Sequence, residues 1–349
     1  YRMRQLIQVG QSLGRQASES TSPDLVLESA EQKLYQLRGG QGANELSHIR
    51  DSILDIYTNL QNLSGEDRDK YLGIPTGFSY LDTMLTGLGR SDLIILAARP
   101  GMGKTSFALN IATNVAKKQK VPVAIFSLEM TKDQLSGRIL SAEGGISSQA
   151  FRTGQLTGQE WDDLAAAANI MFETPIYMDD TSSITIPEMK AKILRINQDP
   201  SRPNVGVVII DYLQLMSSGR RSDNRVQEIS EITRNLKIMA KELNVPVIAL
   251  SQLSRAAEKS SGRSDHRPVL SDLRDSGSIE QDADVVLFLY RPGYYKSTGG
   301  NAGENGGEEV DSRTAECIVA KNRHGEVGKV DLAWDGAHTR FTDVDYVHE

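Results

Sequence analysis

Residues 92–118 read DLIILAARPGMGKTSFALNIATNVAKK. DLIILAA is an apolar run of strand character, RPGMG is a glycine-rich break, and the last fifteen residues place Phe107, Ile111 and Val115 at helical spacing. A strand, a glycine-rich turn and a helix in that order form the frame of a phosphate-binding loop, written G-x-x-x-x-G-K-[ST]. Ala98 stands where the first glycine belongs. As the last strand residue it needs only negative φ, so the departure carries no steric objection. Gly101 and Gly103 can take positive φ and turn backbone N–H groups toward an anion at the helix N-terminus. Lys104 supplies a point charge and Thr105 a hydroxyl suited to Mg2+, while Pro100 stiffens the loop at the cost of one donor. The competing reading is a chance GKT after a strand.

Outward from this unit the chain alternates strands and helices. VPVAIFSLE, VGVVIIDYLQLM, VPVIALSQL and DVVLFLY are further apolar runs, mostly too continuous for half-exposed strands. Thr131 with Gln134, Thr157 with Glu160 and Thr185 with Glu188 fit capping boxes that open intervening helices. The expected class is therefore α/β with a mainly parallel sheet. STGGNAGENGGEE, with five glycines among residues 299–307, reads as a mobile loop, and TAECIVAKNRHGEVGKVDLAW as a hairpin turning near His324-Gly325.

Residues 1–40 read as two helices, the second opening at Ser22-Pro23 and carrying Val26, Leu27, Ala30, Leu34 and Leu37 on one stripe. Within residues 41–72, Leu46, Ile49, Ile53, Ile56, Leu60 and Leu63 alternate in steps of three and four, which lays them on one helix side. That helix either packs on its own domain or, tethered by the polar SGEDRDKY, docks on a neighbouring subunit. Residues 73–349 hold the α/β pattern.

The 349 residues carry a net charge of -7, which argues against a broad basic face coated by nucleic acid and makes any such site local. No run of about 18 apolar residues is present to span a membrane. YRMRQLIQVGQ lacks a signal-peptide shape and an initiator methionine, so upstream residues are expected. The single cysteine, Cys317, sits in the apolar run AECIVA and reads as a buried structural residue in a reducing cytoplasm.

Three strand ends extend the phosphate-loop reading. Asp211 follows VVII, and a carboxylate closing a buried strand is costly unless it holds something, most simply the water shell of Mg2+; alone, it would be a turn or cap residue. Glu129 ends VAIFSLE and either polarises the water that attacks a γ-phosphate or is a solvated loop carboxylate. Gln252 ends VIALSQ and either senses the γ-phosphate or bonds to backbone.

At these residues the chain resembles the DnaB family of RecA-like hexameric motors, the bacterial replicative DNA helicases. The matching stretches are GIPTGFSYLD, AARPGMGKTSFALNIA, AIFSLEM, VVIIDYLQLM, VPVIALSQLSRAAE, SDLRDSGSIEQDADVVLFLYR and AKNRHGEVG, spread over residues 73–328. Ala-Arg-Pro in the phosphate loop is itself a trait of that family. The resemblance implies a RecA-like P-loop NTPase domain, preceded by the helical end of an N-terminal domain (1–40) and a linker with a subunit-docking helix (41–72). It implies a homo-hexamer that hydrolyses ATP with Mg2+ at subunit interfaces and moves 5′ to 3′ on single-stranded DNA. Arg99, Gly101, Gly103, Lys104, Thr105 and Ser106 would hold nucleotide, Thr105 and Asp211 the metal, Glu129 would be the catalytic base and Gln252 the γ-phosphate sensor. Lys321 and Arg323 would reach a neighbour's ATP, Arg323 as arginine finger; by themselves they read equally as cations at a solvated hairpin tip. Arg274, Asp275 and Gly277 match positions that touch the DNA backbone, and Arg220, Arg221 and Arg225 either line the same channel or decorate a charged loop. Six copies would turn a few cations per subunit into a positive channel. Primase, a helicase loader and single-strand binding protein are the implied partners, and cytoplasmic association with the nucleoid the implied place.

Rival classes share parts of this pattern. A RecA-like recombinase or clock-type ring ATPase would keep Lys104 and Asp211 without combining the linker helix with SDLRDSGSIEQDAD. A nucleotide-gated scaffold would dispense with Glu129.

Overall fold

The computed structural model describes residues 2–19, 23, 26, 27, 29–31, 33, 48–63, 72–216, 225–253, 266–294 and 312–344. The chain divides into two compact units, Tyr1–Tyr71 and Leu72–Glu349.

In the first unit, α1 (Arg2–Glu19) is followed by helical residues at 23, 26, 27, 29–31 and 33. Lys33 Nζ donates to Ser12 Oγ at 2.7 Å and to Gln16 Oε1 at 3.0 Å, and Ser29 Oγ donates to Gln16 Oε1 at 2.9 Å, so the two helical segments face each other through polar contacts. Leu34 and Leu37 lie outside the described residues, as does Leu46 of the next stripe. Helix α2 (Ile49–Leu63) carries the three-and-four stripe, and Ile49, Ile53, Ile56 and Leu60 are all more than half exposed.

The second unit runs α3 (Ser79–Leu85), β1 (Leu93–Ala98), α4 (Lys104–Lys118), β2 (Val123–Ser127), α5 (Lys132–Gly144), α6 (Ser148–Thr153), α7 (Gly158–Phe172), β3 (Ile176–Asp179), α8 (Ile186–Asn197) and β4 (Val207–Asp211). It continues with α9 (Arg225–Leu243), β5 (Val247–Gln252), α10 (Gly277–Asp282), β6 (Val285–Tyr290), β7 (Thr314–Asn322), β8 (Gly328–Asp335) and β9 (Arg340–Asp343). The nine strands among the described residues form one sheet in the order β3-β2-β4-β5-β1-β6-β7-β8-β9. The first six pair in parallel and the last three antiparallel.

Both faces of the central strands are covered, which is why their sequences are continuously apolar. Ile94, Leu96 and Ala98 join α4 and α5 in one core through Phe107, Ile111, Val115, Leu135 and Ile139. Leu93, Ile95 and Ala97 point the other way, against Met189 and Ile193 of α8 and Ile232, Leu236 and Met239 of α9. The three capping boxes form as expected at Thr131, Thr157 and Thr185. Two short strands, β3 and β9, fell in no apolar run and were invisible to that reading. The loop of residues 299–307 lies outside the described residues.

One matched stretch has a clear structural part. In GIPTGFSYLD, Asp82 accepts from Thr76 N at 2.6 Å, Thr76 Oγ1 at 2.7 Å and Gly77 N at 3.0 Å, fastening the turn before α3.

Candidate active site

In a parallel sheet the carboxyl ends of the strands open onto the crevice where ligands bind. Four such ends converge here. The register sets Ala98 beside Gln252 and Ser127 beside Asp211, so the phosphate loop, Glu129, Asp211 and Gln252 all emerge on one side of the sheet.

The loop itself is shaped by its glycines. Gly101 has φ +81° and Gly103 φ +91°, a region side chains rarely adopt. A Cβ on Gly103 would meet the buried Phe341 ring at 2.9 Å, so that position is closed by space as well as by φ, whereas at Gly101 the nearest atom is the movable Tyr294 hydroxyl at 2.7 Å and φ decides. Helix α4 begins at Lys104 with no side-chain cap on its first-turn donors. Ser106 is buried in that first turn, and Arg99, half-buried, begins the loop.

Thr105 Oγ1 donates to Asp211 Oδ2 at 2.7 Å, and Lys104 Nζ lies 3.8 Å from Asp211 Oδ1. Asp211 is only 2% exposed, and its Oδ1 accepts no hydrogen bond among the described residues. A buried carboxylate oxygen left in that state next to a threonine hydroxyl is a hard-oxygen pair suited to Mg2+. Lys104 sits 4.5 Å from the centre of the Tyr212 ring. Burial pulls its pKa down, opposed by the charges of Asp211 and Glu129. Glu129 is exposed just beyond β2, close enough for its charge to act on Lys104 and to add to the burial that raises the Tyr212 phenol.

Gln252 ends β5 with its side chain exposed. Its backbone is held by Gln214, whose Nε2 donates to Ser251 Oγ at 2.9 Å and Gln252 O at 3.1 Å and whose Oε1 accepts from Gln252 N at 3.2 Å. Gln214 was missed on sequence. It stands in VVIIDYLQLM, but nothing in spacing alone marks a glutamine as the brace of another strand's end. Arg291 was missed likewise; it donates to Gly101 O at 3.3 Å and stacks 4.5 Å from the Trp334 ring centre, stiffening the loop from outside.

Lys321 and Arg323 are not brought to this crevice. Lys321 pairs with Val286, level with Ile95, and Arg323 N donates to Asp284 O, whose own N–H meets Leu93 O. Arg323 therefore lies near the start of β1 while the phosphate loop follows its end, five residues on and about 16 Å away at 3.3 Å per residue. Arg274 and Asp275 lie on a 3-10 stretch, Leu270–Ser276, and Gly277 opens α10. Arg220 and Arg221 lie outside the described residues, whereas Arg225 donates to Gln214 O at 2.7 Å and pairs with Glu228. Cys317 is fully buried and its thiol is pushed up to about 12, which leaves it inert, as its apolar setting implied. No helix among the described residues is long and apolar enough to cross a membrane.

Comparison with known proteins matches residues 73–343 to the DnaB-like helicase C terminal domain. The replicative DNA helicase DnaB of Geobacillus stearothermophilus is 45% identical over 98% of this chain and 72% of its own length. The replicative DNA helicase DnaC of Bacillus subtilis is 46% identical over 92% of this chain and 67% of its own. Among solved structures, the ATPase domain of G40P superposes with TM-score 0.75 at 35% identity, covering 86% of this chain and all of that one. A DnaB-like replicative helicase, studied for its interactions with primase, gives TM-score 0.79 at 32% identity over 99% of this chain and 76% of that one. With its RecA-like fold, its phosphate loop and these relatives, the chain belongs to the DnaB-like helicase family.

Proposed function

We propose that the chain is the subunit of a ring-shaped replicative DNA helicase that hydrolyses ATP at its subunit interfaces and moves 5′ to 3′ along one DNA strand. The observation that carries this is that Arg323 lies near the start of β1 and Lys321 level with Ile95, both away from the phosphate loop that follows the strand's end. With these roles, one subunit cannot close the two halves of its site on each other, whereas a head-to-tail ring of six copies would.

In such an interface the amides of Gly101 and Gly103 and the Lys104 ammonium hold the phosphates, with Arg99 and Ser106 flanking. Thr105 and Asp211 would hold Mg2+, which would supply charge neutralisation at the phosphates. Glu129 orients the attacking water and accepts its proton, and Gln252, braced by Gln214, reports the γ-phosphate. Arg323 from the next subunit brings a guanidinium fork to the developing phosphate charge, with Lys321 beside it. Arg274, Asp275 and Gly277 would contact the DNA strand, and Arg220 and Arg221 would add to that contact. Residues 1–40 form the end of an N-terminal domain, and α2 docks on the adjacent subunit through its exposed stripe. Primase, a loader and single-strand binding protein are the expected partners at a nucleoid-bound fork in the cytoplasm. The test is ATP-dependent unwinding of a forked duplex with a free 5′ tail, using a chain with its full N-terminal domain. Rings that hydrolyse ATP and never separate strands would sink the proposal.

A further inference from the structure

Helix α10 is a turn and a half long and begins where Arg274, Asp275 and Gly277 sit. So short a helix has little stability of its own, and its last carbonyls have no partners within it. They are taken by the two cations of the β7 hairpin. Lys321 Nζ donates to Glu280 O at 2.6 Å and Ala283 O at 2.7 Å, and Arg323 donates to Gln281 O at 2.6 Å. Arg323 also reaches Asp284 Oδ1 at 3.3 Å. Asp284 in turn is pinned by Lys237 and by Leu93 N, so the anchor point does not move with the hairpin. Beyond these caps, α10 is held by buried Ile279 and by Asp282, which accepts from Thr233 Oγ1 at 2.9 Å.

We infer that Lys321 and Arg323 serve two sites in alternation: in their own subunit they cap the helix that starts at the DNA loop, and ATP in the neighbouring subunit draws them off it. The inference rests on the trans reading proposed above and adds a second duty to it. A triphosphate brings several full negative charges to these donors, where their own subunit offers the neutral carbonyls and partial charge of a helix end and, for Arg323, the single carboxylate of Asp284. The two engagements cannot both be complete, so the neighbour's nucleotide state is written into the C-terminal end of α10. Its other end, about 9 Å away at 1.5 Å per residue, is the DNA loop. Lys321 is thereby a positioning residue for DNA contact as well as a ligand of the neighbour's phosphate.

The test is hydrogen exchange in full-chain rings, read on peptides spanning residues 277–284. Adding a non-hydrolysable ATP analogue should speed exchange there about tenfold, the loss of a charge-assisted cap being worth at least that much. Rings of Lys104→Ala chains, which cannot hold the analogue, should show no change. Lys321→Met should exchange faster from the outset and gain less from the analogue, with only the Arg323 cap on Gln281 left to be drawn off, and Lys321→Arg should restore the slow, nucleotide-sensitive state. Exchange that is indifferent to the analogue in rings shown to bind it, or unchanged in Lys321→Met, overturns the inference. The trans reading fails separately: mixing Lys104→Ala with Arg323→Ala chains should recover part of the ATPase, and no recovery despite confirmed mixing counts against it. In that outcome Lys321→Met would still exchange fast, but the analogue would have no effect on the unmodified ring.

Discussion

The Thr105 hydroxyl donates to the Asp211 carboxylate at 2.7 Å across 106 residues of sequence, tying the first turn of α4 to the end of β4. It is the only hydrogen bond given to that carboxylate among the described residues, and Asp211 is almost wholly buried. Thr105→Ala should therefore destabilise the folded chain by about 1–3 kcal/mol, the usual cost of stranding a buried acceptor. It should also cut ATPase activity at least about tenfold through the lost oxygen donor. Thr105→Ser keeps the hydroxyl and should retain most of both. Denaturant unfolding beside steady-state phosphate release separates the two effects; a Thr105→Ala chain as stable and active as the original would refute the pairing.

Lys104 offers a pH test. Its pKa is lowered by burial, so in the nucleotide-free chain the charged form is the disfavoured one. A depressed folded pKa means that this group's contribution to stability is present above the unfolded lysine pKa and lost as pH falls through the folded value. Nucleotide phosphates reverse the preference because they require the charge. ATP-analogue affinity should accordingly fall as pH rises through the depressed pKa, earlier than an ordinary lysine would dictate. Lys104→Arg, charged throughout, should bind more weakly at neutral pH and show no such alkaline decline. Isothermal titration over a pH series checks both curves, and parallel curves would discount burial as the governing effect.

Glu129 is the residue whose substitution separates an engine from a scaffold. It is exposed and acts on Lys104 and Tyr212 through charge, so little of the fold depends on it. Glu129→Gln should leave the melting temperature essentially unchanged. Hydrolysis should drop by about 10²–10⁴-fold, the usual worth of a general base, while ATP binding survives. Undiminished turnover in that variant would remove Glu129 from the chemistry.

The fold was legible because its central strands are covered on both faces and so write uninterrupted apolar runs, and because Thr131, Thr157 and Thr185 announce their helices. β3 was not legible: Ile176–Asp179 is half-buried at the edge of the sheet and mixes polar with apolar residues. Lys104, Thr105 and Asp211 could be paired from a loop pattern and a strand-end carboxylate. Gln214 and Arg291 could not, since their duties are set by the register of neighbouring strands and by a loop folded back from β6. The parking of Lys321 and Arg323 on α10 depends on antiparallel pairing of β6 with β7, which no local spacing encodes.

Helix α2 carries the last prediction. Ile49, Ile53, Ile56 and Leu60 form one apolar side and remain more than half exposed, with Leu54 and Tyr57 alongside. A contiguous exposed patch of that kind on a short helix marks an interaction surface. Because these side chains bury little in their own subunit, Ile53→Asp with Ile56→Asp should cost the isolated subunit only the small helix-propensity difference, about 0.5 kcal/mol or less per residue. Two carboxylates in an apolar interface are a far greater penalty. The doubly substituted full chain should therefore melt as before when monomeric, yet fail to form rings by native mass spectrometry and lose its ATPase together with the interface. Rings of full mass in that variant would show that the stripe is not what joins one subunit to the next.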